Sequence, residues 1–335
     1  MTVSVRDVAA AAGVSVGTVS NVLNRPERVA PATVERVTAV IAELGFVRND
    51  AARQLRAGSS RTIGMIVLDA GNPFFAAVAR GAEARAGDEH LSVLLGNSDE
   101  DASREAAYLD LFREQRVKGV LVTPVAGVSE RLKRLRDEGI PVVLVDDEVA
   151  GTSFNSVSVD DVEGGWVAAD HLLAQGRRRL AFVGGPASIA QVANRLEGAR
   201  RAVRAVSDAT LEVIEMPALT VLNGRAAGEQ IVAREERMRP DAVFAANDLL
   251  AVGLLQGLTI FGSVRVPEEI ALIGYDDIDF ATSTVVPLSS VRQPAELIGH
   301  TAVELLLKAI DDPDGDHEPQ VRFRPELVVR QSTGG

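Results

Sequence analysis

Two groups of side chains in this sequence have the types and spacing needed to recognise another molecule. The first follows a series of apolar runs. Asn72, Phe74 and Phe75 come after the run 62–68, Asp146 after 141–145, Asn247 and Asp248 after 242–245, and Asp276 after 270–273. Arg195 belongs to this group, at an expected helix start (194–198) beyond the Gly184-Gly185-Pro186 turn. A sugar hydroxyl needs both a donor and an acceptor, which amides, carboxylates and a guanidinium supply, and sugar C–H faces pack on aromatic rings. A plainer reading stays open for each Asn or Asp, because such residues after a strand commonly cap the next helix. Asp248 in particular reads as such a cap. The second group is Arg53, Leu55 and Arg56. Ala51, Ala52 and Leu55 make an apolar stripe too short to hold a helix alone. Docked on DNA, Leu55 between two arginines suits a wedge between base steps with the arginines in the minor groove; otherwise the segment is a linker helix.

Those residues need elements to position them. Ser4 with Asp7 three residues on forms a capping box, the helix continues to Ala12, and Gly13 supplies a turn. Ser15 is placed to N-cap a second helix to about Leu23. Two short helices around a glycine turn fit a helix-turn-helix and equally an ordinary helical hairpin. Pro31 then opens a third helix, with Val34, Val37, Ile41 and Leu44 at helical spacing up to Gly45. From Thr62 onward, apolar strands (62–68, 91–95, 119–123 and 141–145, then 180–183, 211–214, 242–245 and 270–273) alternate with amphipathic helices. That alternation predicts two lobes of doubly wound parallel sheet, with ligands beyond the carboxyl ends of the strands.

Composition narrows the function. The 335 residues carry a formal charge of −12, but residues 1–61 hold eight arginines against five acids. The head is therefore +3 and the remainder −15, a basic DNA reader on an acidic body. So few positive charges give modest, salt-dependent affinity, so two heads acting together are expected. There is no cysteine, and the four histidines (90, 171, 300 and 317) show no metal-ligand spacing. No secretory signal or membrane-length apolar run is visible, so a cytoplasmic protein without membrane contact is expected. Neither a G-x-G-x-x-G nor a G-K-[ST] phosphate loop appears, so no cofactor, metal or enzyme activity is expected.

The chain resembles the LacI/GalR family of bacterial transcriptional repressors over essentially its whole length. The motifs are Val5-Arg-Asp-Val-Ala, Ala12-Gly-Val-Ser15, Thr18-Val-Ser20-Asn21-Val-Leu-Asn24 and the hinge pattern Ala51, Arg53, Leu55. Farther on come Asn247-Asp248, Ile273-Gly-Tyr-Asp276 and Gln293-Pro294. The resemblance implies a helix-turn-helix domain over 1–47, a hinge over 48–61 and an effector-binding, dimerising body over 62–335. The body has a periplasmic-binding-protein-like plan, with one lobe at about 62–160 and 291–322 and the other at about 161–290 and 323–335. It puts the base-reading positions at Val16, Gly17 and Asn21, of which Gly17 has no side chain to read with, and puts Ser15, Thr18, Ser20 and Asn24 also at the DNA. Arg53, Leu55 and Arg56 would enter the minor groove. It places Asn72, Phe74, Phe75, Asp146, Arg195, Asn247, Asp276 and Gln293 at effector positions, with a hinge role open for Gln293. Purine-sensing relatives carry an Arg and a Thr shortly before the counterpart of Arg195, where this chain has Ser188-Ile189-Ala190-Gln191. The expected function is thus a dimeric repressor released from palindromic operator DNA by a sugar or polyol. The alternative is a corepressor-type regulator responding to a nucleobase or other small metabolite.

Overall fold

The computed structural model describes residues 3–46, 60–147, 154–313, 315 and 320–334. Two compact units divide the chain at Ser59 and Ser60. Arg53, Leu55 and Arg56 lie outside the described residues.

The head unit forms from local signals. Helix α1 (Val5–Ala12) begins at a reciprocal capping box: the Ser4 backbone N–H donates to the Asp7 carboxylate at 2.8 Å, and the Asp7 N–H donates to Ser4 Oγ. It ends at Gly13, whose φ of 63° is the left-handed turn expected there. Helix α2 (Val16–Asn24) is capped by Ser15, whose Oγ accepts the Thr18 N–H at 3.0 Å. Helix α3 (Pro31–Leu44) opens on proline and stops at Gly45. Val8, Ala9, Ala12, Val19, Val22 and Val37 bury against one another as the head's core.

The body contains two six-stranded sheets with helices packed on them. Lobe one runs through β1 (Thr62–Val67), α4 (Pro73–Asp88), β2 (Ser92–Asn97), α5 (Ala102–Glu114), β3 (Val120–Val122), α6 (Glu130–Asp137), β4 (Val142–Val145) and β5 (Asn155–Val159). The chain then enters lobe two with α7 (Asp161–Ala174), β6 (Arg179–Gly184), α8 (Ala190–Arg204) and β7 (Thr210–Glu215). It continues with α9 (Val221–Val232), β8 (Ala242–Ala245), α10 (Asp248–Gln256), β9 (Ala271–Asp276) and β10 (Ser289–Arg292). It returns to lobe one for α11 (Ala295–Asp311) and β11 (Gln320–Phe323), and ends in lobe two with β12 (Glu326–Val328). The first sheet has the order β11-β5-β4-β3-β1-β2, all parallel. The second has the order β12-β10-β9-β8-β6-β7, parallel except for β12. Both orders reverse direction within the sheet, the arrangement that leaves a crevice at the strands' carboxyl ends.

Some elements escape the apolar-run reading. β5 reads Asn-Ser-Val-Ser-Val, yet every one of its residues is buried between β4 and β11. β10, β11 and β12 are short and of mixed polarity, and pairing with neighbouring strands defines them. Helix α8 begins at Ala190, so Arg195 projects from its second turn rather than from a helix start. β9 extends through Asp276, which therefore ends the strand instead of following it.

The helices beside the cavity pack through paired glycines. A Cβ on Gly165 would lie 2.0 Å from the Arg195 carbonyl oxygen, and one on Gly198 would lie 2.0 Å from the Val162 carbonyl oxygen. Bare backbone at both positions lets α7 and α8 touch, which brings Arg195 to the start of α7. Gly81 and Gly299 perform the same service for α4 and α11 in lobe one. No helix among the described residues is long and apolar enough to cross a membrane.

Candidate effector cavity and DNA-reading helix

A cavity with about 440 Å³ of atom-free space, open to solvent, lies at the carboxyl ends of both sheets. Lobe one contributes Leu68, Asp69, Asn72, Phe74, Phe75, Glu100 and Asp146; lobe two contributes Ile189, Gln191, Arg195, Leu219, Asn247 and Asp276. Phe74 and Phe75 meet edge to face, with centroids 5.1 Å apart, and give the cavity an apolar wall.

Arg195 is the hub. Its Nε donates to Asp161 Oδ1 at 2.8 Å, one terminal nitrogen donates to the Ala246 carbonyl at 2.8 Å, and that nitrogen lies 3.7 Å from Asp276 Oδ1. The guanidinium also stacks on the Tyr275 ring, 3.7 Å from its centroid. Burial opposes the charge on Arg195, but Asp161 and Asp276 outweigh it and hold its pKa above the usual value. Asp276 accepts from Gln293 Nε2 at 2.8 Å and from Asn72 Nδ2 at 3.3 Å. Burial raises its pKa to about 6, with Arg195 and these two amides pulling the other way. Asp146 stands on left-handed backbone (φ 55°) and accepts from Gln191 Nε2 through both its main-chain oxygen and Oδ2. Burial, with Asp161 nearby, pushes its pKa well above the usual carboxylate range.

The cap reading and the site reading turn out to coincide for two residues. Asn72 caps α4 through Oδ1, which accepts the Phe74 N–H at 3.0 Å, while its Nδ2 reaches across the cleft to Asp276. Asn247 caps α10 through Oδ1, which accepts the Leu250 N–H, and its Nδ2 donates to the Leu219 carbonyl. Asp248 corrects the sequence reading, because it is no cap. It is fully buried in the first turn of α10 and accepts from the Ile278 N–H at 2.9 Å and Ser290 Oγ at 2.8 Å. Burial, reinforced by Asp276, raises its pKa well above normal. Gln293 sits between β10 and α11, outside the cavity lining, and reaches the site by holding Asp276.

Sequence reasoning missed Asp69, Glu100, Gln191, Asp161 and Tyr275. Asp69 and Glu100 follow strands just as Asn72 and Asp146 do, so the same rule extended by a few residues finds them. Asp161 carries no such signal, since it reads as an ordinary acid in a helix's first turn.

In the head, α2 exposes Val16 (43 %), Gly17, Asn21 and Asn24 on successive turns, while Val19 is fully buried. Thr18 and Ser20 are half-buried beside that face; Thr18 shares a 2.9 Å hydroxyl contact with Ser15, and Asn24 Nδ2 donates to the Ser20 carbonyl at 2.8 Å. An exposed helix face with short side chains and an exposed amide has the shape of a major-groove reader.

Comparisons with known proteins agree with this architecture. Residues 4–49 match the family described as bacterial regulatory proteins, lacI family, and residues 169–333 match a periplasmic binding protein-like domain. The HTH-type transcriptional repressor PurR of Aliivibrio fischeri is 34 % identical over 333 residues, 98 % of each chain, and PurR of Vibrio vulnificus is 32 % identical with the same coverage. Among solved structures, the lac repressor dimer bound to operator and the anti-inducer ONPF is 26 % identical, with a TM-score of 0.84 over 99 % of each chain. A LacI family regulator from Enterococcus faecalis with bound ribose is 32 % identical, with a TM-score of 0.72 over 81 % of this chain and 98 % of that one. The head, the two-lobed body and these full-length likenesses together place the chain in the LacI family, as a DNA-binding transcriptional repressor under small-molecule control and not an enzyme.

Proposed function

We propose that an uncharged sugar or polyol of pentose to hexose size, seated between the lobes, loosens this repressor's hold on its operator. The carrying observation is Asp276, fixed by Asn72 and Gln293 beside Arg195, which presents paired acceptors and a donor at one point in an otherwise aromatic and aliphatic pocket. That is the chemistry a vicinal diol needs. Ribose bound to the relative from Enterococcus faecalis supports the reading.

A second reading rests on an observation of its own. The curated full-length relatives reported above are repressors named PurR, and this likeness favours a purine nucleobase acting as corepressor over a sugar. Against it stand Ile189 and Gln191, at the stretch where purine sensors carry an Arg and a Thr; Gln191 is also engaged with Asp146.

Two residue pairs join the lobes at the cavity, Asn72 with Asp276 and Gln191 with Asp146. A ligand that replaces them shifts the lobes only if it binds the weak-DNA arrangement more tightly. We place the working protein in the cytoplasm with its operator, as a homodimer. Exposed apolar side chains support a second copy: Leu94 and Leu95 on lobe one, and Leu222, Ile260, Phe261 and Val285 on lobe two. In the head, Asn21 reads adenine, Val16 touches a thymine methyl, Gly17 reads nothing, and Ser15, Thr18, Ser20 and Asn24 position the helix. Arg53, Leu55 and Arg56 are assigned to the minor groove by the family likeness alone.

The test is a thermal-shift panel of pentoses, hexoses, polyols and purine bases, followed by operator binding with each hit. A sugar that stabilises the protein and weakens operator binding supports the sugar reading. A purine base that tightens operator binding replaces it with the second.

A further inference from the structure

The cavity is lined by more carboxyl groups than its single cation can answer. Asp69, Glu100, Asp146 and Asp276 line it, and Arg195 is the one cation among the described lining residues. That cation is already committed to Asp161 at 2.8 Å and faces Asp276 at 3.7 Å. Helix N-termini, the usual seats for phosphate, are closed to one as well. The starts of α4 and α10 are capped by Asn72 and Asn247. The first turn of α8 has no side-chain cap, but its Gln191 holds the Asp146 carboxylate there instead.

These acids are fixed in place. Asp69 Oδ1 accepts the Gly71 N–H at 2.7 Å. Glu100 stands on left-handed backbone (φ 57°), tied by its N–H to the Leu68 carbonyl. Left-handed non-glycine backbone is costly and persists where surrounding structure over-determines it. An independent observation points to what the ligand must bring. Asp146 is 4 % exposed and lines the cavity, yet its Oδ1 has no hydrogen-bond partner. A buried carboxyl oxygen without a partner is served by a hydroxyl, which can donate to it or accept from it as its protonation requires. A phosphate group would bring further negative charge to a lining of carboxyl groups whose one cation is already committed.

We propose that the cavity admits its effector only without a phosphate group, and that Asp69 and Glu100 are the residues that exclude one. The proposal rests on reading this cavity as the effector site. It makes the effector an unphosphorylated metabolite, the substrate of a kinase-type step or the product of a phosphatase-type one.

Calorimetry on the full chain with matched pairs tests this: ribose against ribose 5-phosphate, glucose against glucose 6-phosphate, and inosine against inosine 5′-monophosphate, with hypoxanthine as a free base beside them. The free member of one pair is expected to bind at least about 100-fold more tightly than its phosphorylated partner. In the double variant Asp69→Asn/Glu100→Gln, the ratio of those two affinities falls by about tenfold or more. A phosphorylated member that binds wild type as tightly as its free partner overturns the proposal. So does an unchanged ratio in a double variant that retains the wild-type circular dichroism spectrum. Binding of hypoxanthine or inosine and of neither free sugar overturns the sugar reading, and the exclusion then stands or falls on inosine against its monophosphate.

Discussion

Lobe two meets the cavity with a closed ionic network, whereas lobe one meets it with a capped helix end and loop-borne acids. In lobe two, Arg195 touches Asp161, Asp276, the Ala246 carbonyl and the Tyr275 ring, all supplied by its own lobe. In lobe one, Asn72 caps α4 and reaches Asp276, Asp69 folds onto its own loop, and Asp146 keeps one oxygen unpartnered. The first arrangement is built before ligand arrives. The second leaves capacity unfilled. Buried charge is tolerable only when paired, so the network belongs where one lobe's core can hold it rigidly. If the cleft moves as the proposed function requires, it is served better by groups such as Asn72, whose own helix already satisfies half of their hydrogen bonding.

The comparison breaks first at Arg195. Arg195→Ala leaves Asp161 and Asp276 buried without their cation, and a loss of about 3–5 kcal/mol in body stability is expected by chemical denaturation. A loss under about 1 kcal/mol would mean that lobe two is no more pre-built than lobe one. Glycine packing sharpens the contrast, because both lobes use it equally. Gly198→Ala and Gly81→Ala should each cost about 1–3 kcal/mol, since each new Cβ meets a facing carbonyl oxygen at 2.0 and 1.9 Å. Unequal losses would show that one helix pair yields more easily than the other.

A smaller effect comes from the proton on Asp276. Its folded pKa of about 6 lies above the ordinary value of 3.8, so its favourable contribution is complete at low pH and is lost as pH rises through 6. Asp276→Asn removes that titration. The stability of wild type relative to the variant should therefore fall by about 1 kcal/mol between pH 5 and pH 7 in paired denaturation curves. A flat difference would place the titration elsewhere in the network. The smallest effect is expected from lobe one. Asn72→Ala loses a helix cap worth about 1 kcal/mol in melting experiments, while effector affinity measured by calorimetry falls much further. Intact effector affinity in that variant would reduce Asn72 to a cap.

Legibility from sequence tracked the range of the interaction. The capping box at Ser4 and Asp7, the turn at Gly13 and the proline start of α3 involve residues a few positions apart, and each appears in the structure where the sequence predicts it. Buried runs such as β1, β4 and β8 were legible because a strand covered on both faces must be apolar nearly throughout. β5 was not, because Ser156 and Ser158 are buried by their place between two strands and not by their own hydrophobicity. Asn72, Phe74, Phe75, Asp146, Arg195, Asn247 and Asp276 were legible as polar or aromatic residues near strand ends, and the structure brings all seven to one cavity. Asp161 was not legible as Arg195's partner, and Gln293, placed at the site by family resemblance, was not legible as Asp276's partner, since they lie 34 and 17 residues from the groups they bind.

The sequence by itself determined the head, the alternation of strand and helix, and the inventory of polar groups at the strand ends, because these follow from contacts within a turn or from the burial of a single element. Only the tertiary structure decided that Asp248 is a buried strut and that Asn72 is cap and bridge at once. It also decided that Arg195 reaches the cavity with its charge already answered by Asp161. Those outcomes depend on how closely α7 and α8 approach across Gly165 and Gly198 and on the facing of two lobes, and no pattern within one segment encodes either distance.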